Sequence, residues 1–420
     1  MSEEETPEVL GHESEGFVDV LEAERDLLQA RAQLESLLNA TDSLEALITH
    51  LDTTDIVSKA HKQAVVVSFE NLIGESGISV NDLLPSLEGH EAGTVSTESL
   101  KDKMKGLWTH LVNAILQILA FVREFWNRIK SFRGRLRMTA EHLAKHAGAR
   151  RHITVRNPNV ELGMEIKSLI VGNSVVNDPD ALIRSISAAM DQYKIVTTHY
   201  GAGMIDIGQR FERLLQSGKS GQDMLSETCQ LFTQMPLDKI ASQVKAMVYR
   251  DPRFGRRLTM AAPPIIGGWT LYFLTLEQAQ RDLASVDPLN FAAALRTTGI
   301  KFALTSVNRS NVLTGTVKTA SGQQVEHLAR RVIDILDLIE QQERVMKLSR
   351  VEQQIKNVLR AGEQYQNRSS EVSDSYDLSV LRFVRNYAAW AVGPVDQLTT
   401  NLLTVSRSLL TYGRKSLSNT

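Results

Sequence analysis

A single cysteine, Cys229, is all the thiol chemistry that 420 residues provide, so a disulfide within the chain is excluded. This usage fits a reducing compartment, and a lone thiol in an ordinary composition reads as a buried, unreactive core residue. A secretory signal is also missing: where one would need positive charge and then an apolar segment, the first 20 residues carry Glu3, Glu4, Glu5 and Glu8. No stretch supplies the roughly 20 apolar residues that a bilayer requires. The nearest approach, between Lys105 and Arg123, is interrupted by His110, Asn113 and Gln117.

Signatures of catalysis are absent as well. Gly218-Lys219-Ser220 suggests a phosphate loop, but the glycine needed five positions earlier is Arg213, so no cradle of backbone amides forms and the segment reads as an interhelical linker. Gly201 and Gly203 lack the third glycine and preceding strand of a dinucleotide fingerprint. His142 and His146 are one helical turn apart, yet no Glu follows the first and no third ligand accompanies them. The reading is a protein with no metal, no cofactor and no enzymatic activity.

What the chain does have is an uneven distribution of charge. Residues 1–98 hold 21 acidic and 4 basic side chains, a net charge of minus 17, while the remainder holds 28 and 43, a net charge of plus 15. The overall value of minus 2 conceals two oppositely charged polypeptides that meet at Glu98. The expected domains are an acidic helical leader over 1–98, an apolar and then basic helical segment over 99–150, an α+β domain over 151–315, and a helical region over 316–420.

Periodicity fills in this outline. Met1 to Phe17 is acidic and aperiodic, which predicts disorder. Amphipathic helices are predicted over 18–51, with a candidate break at Asn39 to Ser43, and from Asp55 to Ile73. The loop Gly89 to Thr94 closes the acidic part. From Leu100 to Phe132 apolar residues surround nearly the whole helix, leaving a polar seam at Asn113, Gln117, Glu124 and Asn127; such a helix belongs at the centre of a bundle or against lipid. Ile153 to Val155 and Leu169 to Val171 are predicted strands, followed by a helix capped at Asp178 or Asp180 that runs to Leu215 with a candidate interruption at Gly201 and Gly203. Helices are expected at Met224 to Phe232, Ile240 to Val248 and Phe291 to Leu295. Strands are expected at Arg257 to Ala262, Trp269 to Leu274 and Lys301 to Thr305, the first two joined by Pro263 to Gly268. A long helix from Gln323 to Arg360 and two more, Leu378 to Val392 and Leu398 to Leu410, separated at Gly393-Pro394, complete the chain. The fold class is mainly α: a helical bundle of long amphipathic helices with one small mixed sheet in the middle region.

The densest positive run, Arg123 to Arg156, contains ten basic residues against Glu124 and Glu141. Cations at helical spacing neutralise phosphates without base specificity, so Arg128, Lys130, Arg133, Arg135, Arg137, Arg150 and Arg151 are candidates for contact with nonspecific DNA. A solvated helix face is the bland reading of the same residues. A third reading makes 107–137 a membrane-active amphipathic helix whose arginines meet anionic headgroups.

The acidic leader, Ser96-Thr97-Glu98, the helix that opens Ser99-Leu100-Lys101-Asp102-Lys103-Met104-Lys105-Gly106-Leu107-Trp108, and the aromatic and basic stretch beyond it resemble the internal head proteins of large-genome tailed bacteriophages. The resemblance implies a prohead protease that cuts after glutamate in a small, any, Glu motif, here Ser96, Thr97 and Glu98, to leave Ser99 as the new terminus. It also implies a structural virion protein held inside the head with DNA and other capsid or inner-head proteins, after assembly in the host cytoplasm. Ser43-Leu44-Glu45, Ser68-Phe69-Glu70, Ser86-Leu87-Glu88 and Ser369-Ser370-Glu371 match the motif too, but only Glu98 sits where the charge changes sign.

Overall fold

The computed structural model describes residues 20–30, 32, 97–250, 258–276, 287–305, 314–346, 348–368 and 375–420. The chain divides into two compact units, one of Ala23–Lys130 and one of Ser131–Thr420 with Met1–Glu22. The predicted helix 55–73 and the loop 89–94 lie outside the described residues, as does the predicted break at 39–43.

Helix α1 (Thr97–Ala149) joins the apolar and basic segments in one continuous element. Phe132, Leu136, Ala140, Leu143 and Ala147 recur every three or four residues and are buried. Past a short connection come strand β1 (Asn159–Leu162), a 3-10 turn (Met164–Leu169) and the hairpin β2 (Ile170–Val171) with β3 (Ser174–Val175). Ile153 to Val155 is not a strand, contrary to its β-branched composition. The chain there serves the C-terminus instead, with the amides of Arg156 and Asn157 donating to the Asn419 carbonyl, and the alternating burial expected of a strand begins at Asn159.

Helix α2 (Pro179–Gln216) starts as anticipated: the Asp178 carboxylate accepts from the Ala181 amide at 2.9 Å and Pro179 occupies the first turn. Gly201 and Gly203 do not interrupt it. At Gly203 a Cβ would stand 2.8 Å from the Pro236 ring, so this glycine serves close packing and not a break. Helices α3 (Gly221–Phe232) and α4 (Leu237–Gln243) follow. The predicted helix to Val248 ends early because Lys245 adopts a left-handed φ of 56°, with the Ala246 amide bonding the Ala241 carbonyl, a Schellman-type stop.

The chain then enters a four-stranded sheet, β4 (Met247–Tyr249), β5 (Leu258–Ala261), β6 (Trp269–Thr275) and β7 (Gly299–Leu304), ordered as in sequence and antiparallel throughout. The β5–β6 connection turns through Gly267 and Gly268, both at positive φ, and the Asn401 side chain holds it by donating to the Ile266 carbonyl. Helix α5 (Pro288–Leu295) precedes β7, and strand β8 (Gly315–Lys318) pairs with β1. The described residues therefore hold three small antiparallel sheets where one mixed sheet was expected.

Helices α6 (Gly322–Met346), α7 (Leu348–Arg368) and α8 (Ser375–Ser418) complete the fold. Together α6 and α7 run along α2 in the same direction, as the contacts Gln324 to Asp180, Thr197 to Gln342 and Gln354 to Glu212 show. Helix α8 runs the opposite way, with the Tyr387 hydroxyl donating to the Met204 carbonyl and Tyr193 sharing a hydrogen bond with Thr399. It is a single helix through Pro394, where two were expected. The missing amide and the ring clash of an interior proline cost about 3 kcal/mol. Burial of Val384, Tyr387 and Ala391 before it, and of Val395, Leu398 and Leu402 after it, offsets that cost. Phe232 ties α3 to the bundle: its ring lies 5.0 Å from Phe211, 4.9 Å from Phe383 and 5.1 Å from Trp390.

Candidate cleavage segment and nucleic-acid interface

Thr97, Glu98 and Ser99 form the first turn of α1, and Ser96 lies outside the described residues. The first amides of a helix have no intrahelical acceptors, so this turn opens at lower cost than any interior one.

The basic run occupies the second half of α1, where it meets the acidic face of α6 in antiparallel register. Arg133 donates to Glu343 at 3.0 Å and lies 3.9 Å from Glu340. One turn on, Arg137 hydrogen-bonds Asp337 and lies 3.7 Å from Glu340. The bond to Asp337, reinforced by Glu340 and Glu141, raises the Arg137 pKa further above its ordinary value. Beyond the helix end, Arg151 engages both carboxylate oxygens of Glu326, which also accepts from Arg330 at 2.8 Å. Glu326 is buried, and burial alone would raise its pKa; the two guanidiniums, Arg151 above all, outweigh that and hold it down to about 2.

The other candidate cations are engaged within the chain too. Arg128 pairs with Glu124 and donates to the Asp26 carbonyl at 2.9 Å, and Arg150 donates to the Leu417 carbonyl at 3.3 Å. Lys130 and Arg135 also have interaction partners. Phosphates approaching this helix meet cations whose charge is already partly compensated. Sequence reading missed the partners, Glu326, Asp337, Glu340 and Glu343, although their spacing of three, or of a multiple of three to four, on α6 was the available signal.

Several other sequence features are accounted for by the fold. Gly218-Lys219-Ser220 precedes α3, and the position over its N-terminus is taken by an anion of the chain itself: the Gly221 amide donates to Asp377 at 2.7 Å, while the buried Tyr365 hydroxyl bonds the same carboxylate. Lys219 pairs with Glu227. The rings of His142 and His146 lie 4.6 Å apart, and among the described residues no three potential ligands converge as a metal site would need. Cys229 is buried, which pushes its thiol up to about 12.

The lipid-facing reading requires an outward apolar face. Phe125, Trp126, Ile129, Phe132 and Leu136 are instead buried in the protein, and among the described residues no helix is long and apolar enough to cross a membrane.

Searches of the curated proteins and of the solved structures found no match. A family model does match, over residues 13–415, and its description is phiKZ-like phage internal head proteins.

Proposed function

The chain belongs to the phiKZ-like phage internal head proteins, and on that footing we propose that it is made as a precursor whose acidic leader is cut off after Glu98, freeing a basic body to contact packaged DNA. Its place is inside the phage head, as a structural protein associated with other head components. The proposal adds a prohead protease acting at Ser96, Thr97, Glu98 and Ser99, nonspecific DNA as a partner of the body, and the absence of intrinsic catalysis.

The observation that carries this reading is the reversal of charge at Glu98. A leader of net minus 17 attached to a body of net plus 15 lowers the attraction of the precursor for polyanions, and its removal restores that attraction. The bond lies in the first turn of α1, which must open for a protease to cut it and opens at lower cost than an interior turn. Intact-mass measurement and N-terminal sequencing of the protein recovered from its native head test the cut. A chain beginning at Ser99 is the expected result; a chain that retains its leader refutes the processing step.

A further inference from the structure

The candidate cations Arg128, Lys130, Arg133, Arg135 and Arg137 of α1, and Arg150 just past its end, are engaged by partners within the chain, and other exposed basic residues lie on the four-stranded sheet. Strand β4 lies at the edge of the four-stranded sheet, and all three of its residues are exposed: Met247 at 74%, Val248 at 70% and Tyr249 at 46%. Each end of the strand carries an exposed cation, Lys245 before it and Arg250 after it, and among the described residues neither has an ion-pair partner. Residues 245–257 contain five basic side chains against the single acid Asp251. Lys301 extends the positive character across the sheet, since Met247, Ala261, Tyr272 and Lys301 share one row of the register. Tyr249 is steadied by Tyr272, ring centroids 6.1 Å apart, which leaves its outer face available.

An exposed apolar edge strand is costly in solution and marks a contact surface. Its chemistry here selects a polyanion with apolar as well as charged surface. We propose that the β4 edge is a duplex-DNA contact, in which Lys245 and Arg250 neutralise phosphates while Met247 and Tyr249 pack against the groove. The two cations are five positions apart, at most roughly 16 Å at strand rise. That span reaches the backbones on either side of a major groove about 12 Å wide. The left-handed Lys245, at φ 56°, turns the chain from α4 into the strand and fixes where the first cation sits. This inference rests on the reading that the body contacts DNA, and it assigns that contact to residues outside α1.

The test uses the full chain and a short duplex of arbitrary sequence, with affinity followed by fluorescence anisotropy as salt rises from about 50 to about 200 mM. The double variant Lys245→Ala, Arg250→Ala binds about tenfold more weakly at the low-salt end and loses about 1.8 from the salt slope, the value for two phosphate contacts. Tyr249→Ala weakens binding several-fold, whereas Tyr249→Phe and the charge-keeping pair Lys245→Arg, Arg250→Lys bind as the natural chain does. Thermal melting verifies that each variant is folded. Unchanged affinity and slope in the double variant, with the natural chain binding, overturn the β4 site and leave the DNA reading standing. Failure of the natural chain to bind duplex at low salt overturns the DNA reading and this site with it. Protection of β4 by protein and not by DNA in a head extract assigns the edge to a protein partner and overturns the proposal.

Discussion

Replacing Gly208 by alanine tests whether the bundle is packed as described, because the same change at Gly134 should act in the opposite direction. Gly208 is buried in α2, where an added Cβ would stand 2.1 Å from the Tyr387 hydroxyl oxygen, 2.5 Å from its ring carbon and 2.7 Å from Gln354 Cγ. Gln354 can swing aside, but Tyr387 is fully buried and anchored by its bond to the Met204 carbonyl. Forcing the ring away costs about 1–3 kcal/mol of overpacking. Losing the buried hydrogen bond adds about 1 kcal/mol. Alanine in a helix interior returns about 1 kcal/mol relative to glycine, so the net destabilisation is about 1–3 kcal/mol. Gly134, exposed in α1 with nothing within 4 Å of a Cβ, has only the propensity gain, a stabilisation of about 1 kcal/mol. Each kcal/mol shifts the melting temperature of a chain this size by about 2 °C. Gly208→Ala should therefore melt several degrees below the natural chain and Gly134→Ala slightly above it. Adding Tyr387→Phe removes the closest atom and should restore part of the loss. Equal melting temperatures for the two glycine variants would refute this packing of α2 against α8.

Three further outcomes follow from the same geometry. The Glu326 carboxyl is held at about 2 in the folded chain against an ordinary 4.5, so its ion pairs stabilise fully above about pH 4.5 and lose that effect as pH falls toward 2. The stability difference between the natural chain and Glu326→Gln, measured by denaturant titration, should be constant at neutral pH and vanish over that acid window; a difference that persists at its low end would contradict the assignment. Asp377→Ala leaves the Gly221 amide and the buried Tyr365 hydroxyl without their acceptor, a loss of about 1–3 kcal/mol that hydrogen exchange should report as faster exchange in the first turn of α3. Arg133→Ala with Arg137→Ala removes the α1 cations that pair with Asp337, Glu340 and Glu343, so it should lower the melting temperature as well as DNA affinity; unaltered stability would mean that the seam between α1 and α6 contributes nothing.

Much of the outline was legible in the sequence because it depends on local chemistry. The Asp178 cap, the strands on both sides of Pro263 to Gly268 and the mainly helical class follow from capping, turn formation and apolar period, each of which acts over a few residues. The change of charge sign at Glu98 needs no structure at all. The glycine missing five positions before Gly218 could likewise be read directly, although not the carboxylate that accepts from the Gly221 amide, since Asp377 comes from 156 residues further along.

Wherever a residue's role was set by a distant partner, local rules were insufficient. Gly393-Pro394 should end a helix, yet α8 continues because buried side chains on both sides outweigh one lost hydrogen bond. Ile153 to Val155 has the composition of a strand but, among the described residues, no strand pairs with it, and the amides just after it turn to Asn419. Lys245 holds a conformation that sequence patterns reserve for glycine, so the edge strand behind it was read as helix. Charge shows the division most clearly. Sequence alone determines how many cations the chain carries and that they dominate after Glu98, because charge is a sum over residues. Only the tertiary structure decides which of them are engaged, since Arg133, Arg137 and Arg151 meet carboxylates some 200 positions away while Lys245 and Arg250 meet none among the described residues.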